Sequence, residues 1–255
     1  MKAKENRLIT IPISHYCEKA RWALDRAKIL YVEERHLQGF HMIPAYLAGK
    51  VDTTPVLVTA EGAFKDSTDI LKWVDGHSPD ELKLYPPDPK EQQEVELLVA
   101  YFDSKFGPAG RLWMYTYILD DIPLIIRYSK LHQVPAYQRM LLPLVSRMMK
   151  KYVGAALEMD SESRGKAHRI VDRFFKEVGD MLSDGRPFLV GNRFSAADLT
   201  FASLAAAVLI PEEYGVRLPK LHEFPAEMSG EILKWRALPA GVFALKMFRE
   251  YRETL

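Results

Sequence analysis

The sequence predicts a small mixed α/β domain followed by an all-helical domain. Three observations carry that prediction. Strand-like and helix-like runs follow one another as β-α-β and then β-β-α over the first 77 residues, the order of a small mixed sheet and not of a doubly wound one. A proline-rich stretch, Ser78 to Lys90 with Pro79, Pro86, Pro87 and Pro89, has the composition of a linker at a domain boundary. From Glu91 onward the apolar residues recur with a helical period. The expected division is therefore 1–78, a linker over 79–90, and a helical domain over 91–255.

Each element has its own signal. Leu8 to Ile13 reads as a short strand, and Tyr16 to Ala27 as a helix with Ala20, Ala23, Leu24 and Ala27 near helical spacing. Ile29 to Glu33 reads as a second strand, and His36 to Gly49 as a mixed turn-and-helix connection. Pro55 to Thr59 is the third strand, opened by a proline where a first residue tolerates one. Glu61-Gly62 marks a tight hairpin, Ala63 to Lys65 returns as a fourth strand, and Thr68 to Asp75 is the next helix. In the second half, Val95, Leu98, Val99 and Phe102 form one helical stripe, and Ile170, Val171, Phe174, Phe175 and Val178 belong to another. Between them, helix breaks are expected near Pro108, Pro123, Pro135 and Pro143.

Composition narrows the function classes. Lys+Arg 35 against Asp+Glu 34 leaves a formal charge of +1, with no block of like charges, so binding driven by nucleic-acid phosphates is not expected. A single cysteine excludes an intramolecular disulfide. Met1 to Arg7 lacks the apolar core of a signal peptide, and no run of about 18 apolar residues is present to span a bilayer. A cytoplasmic protein without a membrane partner is the expectation. The seven histidines lack metal-ligand spacing, so no metal is expected.

The chemistry gathers at Ser14-His15-Tyr16-Cys17, where a strand ends in a small hydroxyl residue and a helix begins. Free N–H groups and the positive end of the helix dipole suit an anion there. A thiol with a pKa near 8.5 is only about 3 % ionised at neutral pH, and lowering that pKa by two units takes about 2.7 kcal/mol. One hydroxyl donating to a charged acceptor supplies roughly 1.5–3 kcal/mol, and a helix N-terminus adds roughly 0.3–1 kcal/mol. Ser14 with its helix start can therefore hold a thiolate without a metal or a base. Ser14 is equally a preferred N-cap, and the two roles are compatible. Further along come Thr54-Pro55-Val56-Leu57 and Asp66-Ser67, the latter pair preceding an apolar helical pattern.

In order and spacing these pieces resemble the thioredoxin-like N-terminal domain of the cytosolic glutathione transferases, closely over residues 8 to 77. The resemblance returns at Phe188 to Leu204 and, more loosely, at Leu238 to Arg252. It implies a thioredoxin-like α/β domain followed by an all-α domain, with glutathione as co-substrate and a small electrophile, apolar or aromatic, as second substrate. The implied activity is the conjugation used in detoxification. By the same resemblance the residue at Ser14 activates the glutathione thiol. Pro55 takes the position of a cis-proline whose predecessor, Thr54, pairs with the tripeptide backbone, and Asp66-Ser67 holds the γ-glutamyl end. His41 and Lys50 lie nearest the family positions that bind the glycine carboxylate, although Asp52-Thr53 stands where many members have a lysine. The family usually has Glu or Gln at the Asp66 position.

Other readings stand beside these. Ser14-His15-Tyr16-Cys17 also looks like a glutaredoxin site whose first thiol is replaced by Ser, which makes Cys17 a rival nucleophile for a glutathione-dependent reductase. A non-catalytic binding protein on the same fold is a further alternative. Tyr16 either joins the chemistry or packs at its rim, and Asp69 either joins the ammonium site or lies on a solvated face. The aromatic group Phe106, Trp113, Tyr115, Tyr117 and Tyr128 either walls an electrophile pocket or fills the core. Phe194 to Leu199 reads as a capping box with a hydrophobic staple, a determinant of the fold and not of catalysis. Both a homodimer and a monomer remain open.

Overall fold

A computed structural model describes residues 5–156 and 161–252; residues 1–4, 157–160 and 253–255 of the two expected domains lie outside the described residues. The first part runs β1 (Arg7–Thr10), α1 (His15–Arg26), β2 (Val32–Arg35), α2 (Met42–Gly49), β3 (Val56–Val58), β4 (Ala63–Phe64) and α3 (Ser67–Gly76). The sheet order is β2-β1-β3-β4, with β1 parallel to β2 across the α1 crossover and the other pairs antiparallel. Gly62, at φ 141, makes the β3–β4 turn that an L side chain resists, and Thr59 N–H closes it on the Gly62 carbonyl at 2.8 Å.

The second strand departs from expectation. Lys28 takes a left-handed φ of 54, which lengthens the return from α1, and Arg7 pairs with Val32. Ile29 to Tyr31 therefore forms the connection, with Leu30 exposed, and the strand shifts to Val32–Arg35.

The second part is helical: α4 (Pro89–Tyr101), α5 (Gly107–Ile118), α6 (Ile122–Leu131), α7 (Ala136–Ala156), α8 (Ser161–Met181), α9 (Ala196–Leu209), α10 (Ala226–Ala237) and α11 (Pro239–Tyr251). Two expected breaks are absent. Near Pro108 the chain runs from α4 into α5 through a π-helical turn, Phe102–Phe106, and never leaves helical geometry. Such a turn absorbs a backbone bond that proline cannot make. Pro143 sits inside α7 on an exposed face, where water can satisfy the carbonyl it leaves unpaired. Pro123 and Pro135 do mark helix starts.

Helix α9 is buried along its whole length, which explains its run of small residues. Its start is the expected capping box. Ser195 N–H donates to Asp198 Oδ2 at 2.8 Å, and Ala197 N–H donates to Ser195 Oγ at 3.3 Å. Ser195→Ala should lower stability by about 0.5–2 kcal/mol through the lost cap. Thermal melting alongside glutathione titration checks this; lost binding at unchanged melting would make Ser195 a site residue instead.

Helix α1 packs on α3 and on α9, so it lies between the two parts of the molecule. Glu18, Lys19 and Arg21 are buried with its apolar residues. Each has found a partner. Arg21 bridges Glu18 and Glu33, Arg252 bridges Glu18 and Asp25, and Lys19 meets Asp103. No helix of the described residues is long and apolar enough to cross a membrane.

Candidate functional site

The site assembles where α1 begins. Ser14 caps the helix with an extended backbone (φ −72, ψ 120), and its Oγ accepts the Cys17 N–H at 3.4 Å. Its own N–H is tied to the Ile11 carbonyl at 3.0 Å, which fixes the turn out of β1. Ser14 is partly exposed, and Cys17 is wholly buried. Burial pushes its thiol up, against the opposing pull of Arg21 and of the Ser14 and Thr54 hydroxyls. A reductase requires a thiolate that substrate can reach, and Cys17 offers neither the charge nor the access.

Thr54 precedes Pro55 through a cis peptide bond at the entry to β3. Asp66 caps α3, accepting the Thr68 N–H on Oδ1 at 2.7 Å, and remains exposed, with Ser67 buried next to it. Underneath, Lys19 Nζ donates to Thr68 Oγ1 and to Asp103 Oδ2, each at 2.7 Å, and Thr68 Oγ1 donates to the same carboxylate oxygen at 2.7 Å. This cluster ties the start of α3 to the π-helical turn. Tyr16 points the same way, its hydroxyl donating to the Asp103 carbonyl at 2.7 Å. Burial raises the Tyr16 pKa, with the Asp103 charge adding to it, so that hydroxyl stays protonated and occupied by the domain contact.

The two residues expected near the glycine carboxylate differ. His41 is buried, its Nδ1 accepts the Gly39 N–H at 3.1 Å, and desolvation lowers its pKa. A neutral ring engaged with backbone carries no charge for a carboxylate, and His41 here secures the loop ahead of α2. Lys50 ends α2 in a left-handed conformation (φ 59, ψ 33), exposed, with Nζ over the Tyr46 ring at 4.9 Å.

Beside the Ile11–Ile13 turn opens a cavity of ≈ 120 Å³ walled almost wholly by hydrocarbon. Its far walls are Tyr115 and Ile118 of α5, Ile125 and Tyr128 of α6, Leu142 of α7 and Ile210 after α9. Two polar groups along it are engaged: Ser129 donates to the Ile126 carbonyl at 2.8 Å, and His132 Nε2 is 2.7 Å from the Arg217 carbonyl, whereas the buried Tyr214 hydroxyl on the same wall has no hydrogen-bond partner among the described residues. Of the aromatic group singled out in sequence, Tyr115 and Tyr128 line this cavity. Phe106 and Trp113 fill the core against Phe201 and Trp235, and Tyr117 donates to Glu227 Oε1 at 2.8 Å.

Sequence reading passed over His15 and Arg111. His15 is buried and held neutral at about 3, first by burial and then by the Arg111 charge. Arg111 stands one turn beyond Gly107 on α5, and its Nε is buried without a hydrogen-bond partner among the described residues. Tyr16 packs against Gly107 so closely that a Cβ there would lie 2.2 Å from its hydroxyl oxygen. That glycine following Phe106 was the available signal. No group of three or more potential metal ligands occurs among the described residues.

Residues 8–82 match the family model of the glutathione S-transferase N-terminal domain. No curated protein matches the chain significantly in sequence. Solved structures are similar over nearly the whole chain. A glutathione S-transferase from Xanthobacter autotrophicus Py2 shares 15% identity at a TM-score of 0.61, covering 96% of this chain and 93% of its own. The theta class enzyme from Xanthomonas axonopodis pv. citri, solved with glutathione bound, shares 15% at 0.59 and covers 98% of both chains. FzlA from C. crescentus shares 19% at 0.55, over 95% of this chain and 92% of its own. At such identities the likeness establishes the architecture: a thioredoxin-like domain followed by an all-helical one.

Proposed function

We propose that this chain, whose N-terminal domain matches the glutathione S-transferase N-terminal family and whose whole length has the architecture of the glutathione transferase superfamily, binds glutathione and transfers it to an apolar electrophile in the cytoplasm. The observation that carries the reading is the partly exposed Ser14 at the start of α1, next to a turn that walls an apolar cavity. In this reading Ser14 donates its proton to the thiolate while its oxygen keeps the cap. Arg111 adds positive potential from α5. The Thr54 backbone pairs with the cysteinyl segment at Pro55, as an edge strand does. Asp66 receives the γ-glutamyl ammonium, Ser67 and the N–H groups of α3 receive its carboxylate, and Lys50 supplies the cation for the glycine end.

The sulfur then attacks an electrophilic carbon held in the cavity. A C–S bond forms, and the leaving group departs with the displaced electron pair. Holding both reactants in one cleft replaces a bimolecular encounter, which contributes as much as activation of the thiol. An apolar wall favours substrates without charge, because it offers little in place of the water that a charged group would lose.

Calorimetry with glutathione tests the peptide site. Asp66→Ala should weaken binding by about 1.5–3 kcal/mol, the size of a lost charged hydrogen bond, and lower stability by only about 0.5–2 kcal/mol through the lost α3 cap, so that the protein stays folded. An affinity equal to that of the parent protein removes Asp66 from the site.

A further inference from the structure

We propose that the outer face of α7, continued by α2, is a docking surface for the anionic phospholipid of a membrane. The proposal goes beyond the glutathione reading and does not depend on it. The first observation is a misplaced stripe. Tyr137, Met140, Leu141 and Leu144 fall at i, i+3, i+4 and i+7 of α7, the spacing of a face that a globular helix turns inward, yet they are 56%, 76%, 41% and 79% exposed. The inward face is a different one, carrying Gln138 and Leu142, both buried. Helix α7 is thus apolar on two sides. Its inner side walls the cavity through Leu142, and its outer side meets solvent.

The outer stripe does not end with the helix. The Tyr137 ring meets Phe40 edge-on at 6.3 Å, immediately ahead of α2, and α2 exposes Ile43, Tyr46 and Leu47. Seven of the fifteen large hydrophobic residues that are exposed among the described residues belong to these two helices. Exposed apolar surface on two helices, linked through the Phe40–Tyr137 ring contact, has the character of an interaction site.

Charge selects the occupant. The α6–α7 stretch, residues 122–156, contains Arg127, Lys130, Arg139, Arg147, Lys150 and Lys151 and no Asp or Glu, a formal +6 in a chain whose total is +1. Of these, Arg127 is paired with Glu223. Helix α2 likewise has no acidic residue and is followed by Lys50. An apolar stripe on a helix pair whose sequence is basic matches the boundary of a bilayer carrying anionic headgroups, where apolar side chains enter the acyl region and basic residues gain from the surface potential. A protein partner or a second copy would need acidic residues to match, and this chain's own apolar stripe brings none. The expectation of no membrane partner rests on the lack of a spanning segment, and a peripheral surface requires no span.

Vesicle co-sedimentation without glutathione tests the surface. The parent protein should bind phosphatidylcholine vesicles containing phosphatidylserine at least about tenfold more tightly than pure phosphatidylcholine vesicles, and lose that preference in high salt. The double variant Met140→Glu/Leu144→Glu should lose the binding while keeping the parent's melting temperature and glutathione affinity. Leu233→Glu, an exposed position on α10, should change nothing. Parent protein that ignores the mixed vesicles overturns the proposal, as does a double variant that binds like the parent. Sedimentation equilibrium covers the remaining occupant: a parent dimer that the double variant dissolves, with no vesicle binding, makes the face a contact between copies and equally overturns it.

Discussion

Glu18→Gln is expected to destabilise the protein by about 3–5 kcal/mol, the range for removing one member of a buried ion network. Glu18 is completely buried in α1 and accepts from Arg252 Nε at 2.7 Å, Arg21 Nε at 2.9 Å and the Gly215 N–H at 3.0 Å. The substitution keeps the shape and removes the charge that two buried guanidiniums share. Arg21 retains Glu33 at 2.8 Å and the Pro12 carbonyl at 2.7 Å, and Arg252 retains Asp25 at 2.8 Å, so each guanidinium keeps one carboxylate but the two buried cations repel without the charge that stood between them. Against a typical total of about 5–15 kcal/mol, that loss brings the fold close to its limit. Burial works to raise the Glu18 pKa, but Arg252 and Arg21 prevail and hold it below its ordinary 4.5. A depressed carboxylate contributes stability above the unfolded value and loses it as pH falls through the folded one. Urea denaturation should therefore show the gap between parent and variant narrowing below pH 4.5. A gap under about 1 kcal/mol at neutral pH would mean that the network behaves like solvated surface pairs.

That network marks the limit of what the chain disclosed in advance. Ser14, Asp66 and Ser195 were legible because each sits between two different patterns of apolar residues, and a cap is a local device. The succession of strands and helices in the first domain was legible for the same local reason. Helix α1 was only half legible. Its alanines and Leu24 carry one apolar face, but the helix is enclosed from two sides, and the burial of Glu18, Lys19 and Arg21 depends on Glu33, Asp103 and Arg252, far away in sequence. The cavity was hidden for a related reason. Its walls come from the β1–α1 turn, three helices of the 107–156 region and the segment after α9, none of which is unusual alone. His41 shows the opposite limit: its position along the chain suggests a ligand, and only the fold reveals that the ring is buried and accepts the Gly39 N–H.

Ser14→Ala should raise the pKa of the bound glutathione thiol by about one to two units, each unit being about 1.4 kcal/mol of lost anion stabilisation. Turnover near neutral pH should then fall about tenfold or more, and recover in part at high pH, where the thiol ionises unaided. The geometry limits compensation. Tyr16 has its hydroxyl on the Asp103 carbonyl, His15 is neutral and buried, and Cys17 is a buried thiol with a raised pKa, so no neighbour in the motif replaces the lost donor. The Ala side chain also loses the cap to the Cys17 N–H, but that bond is long at 3.4 Å and its loss is the smaller effect. Cys17→Ala should behave differently. It removes a wholly buried sulfur, lowers stability through packing, and leaves the thiol titration of bound glutathione where it was. Thiolate absorbance of the glutathione complex against pH, recorded for both variants, separates the two residues. A Ser14→Ala protein that titrates like the parent, together with an inactive Cys17→Ala protein, would transfer the chemistry to Cys17 and replace thiol transfer to an electrophile with thiol–disulfide exchange.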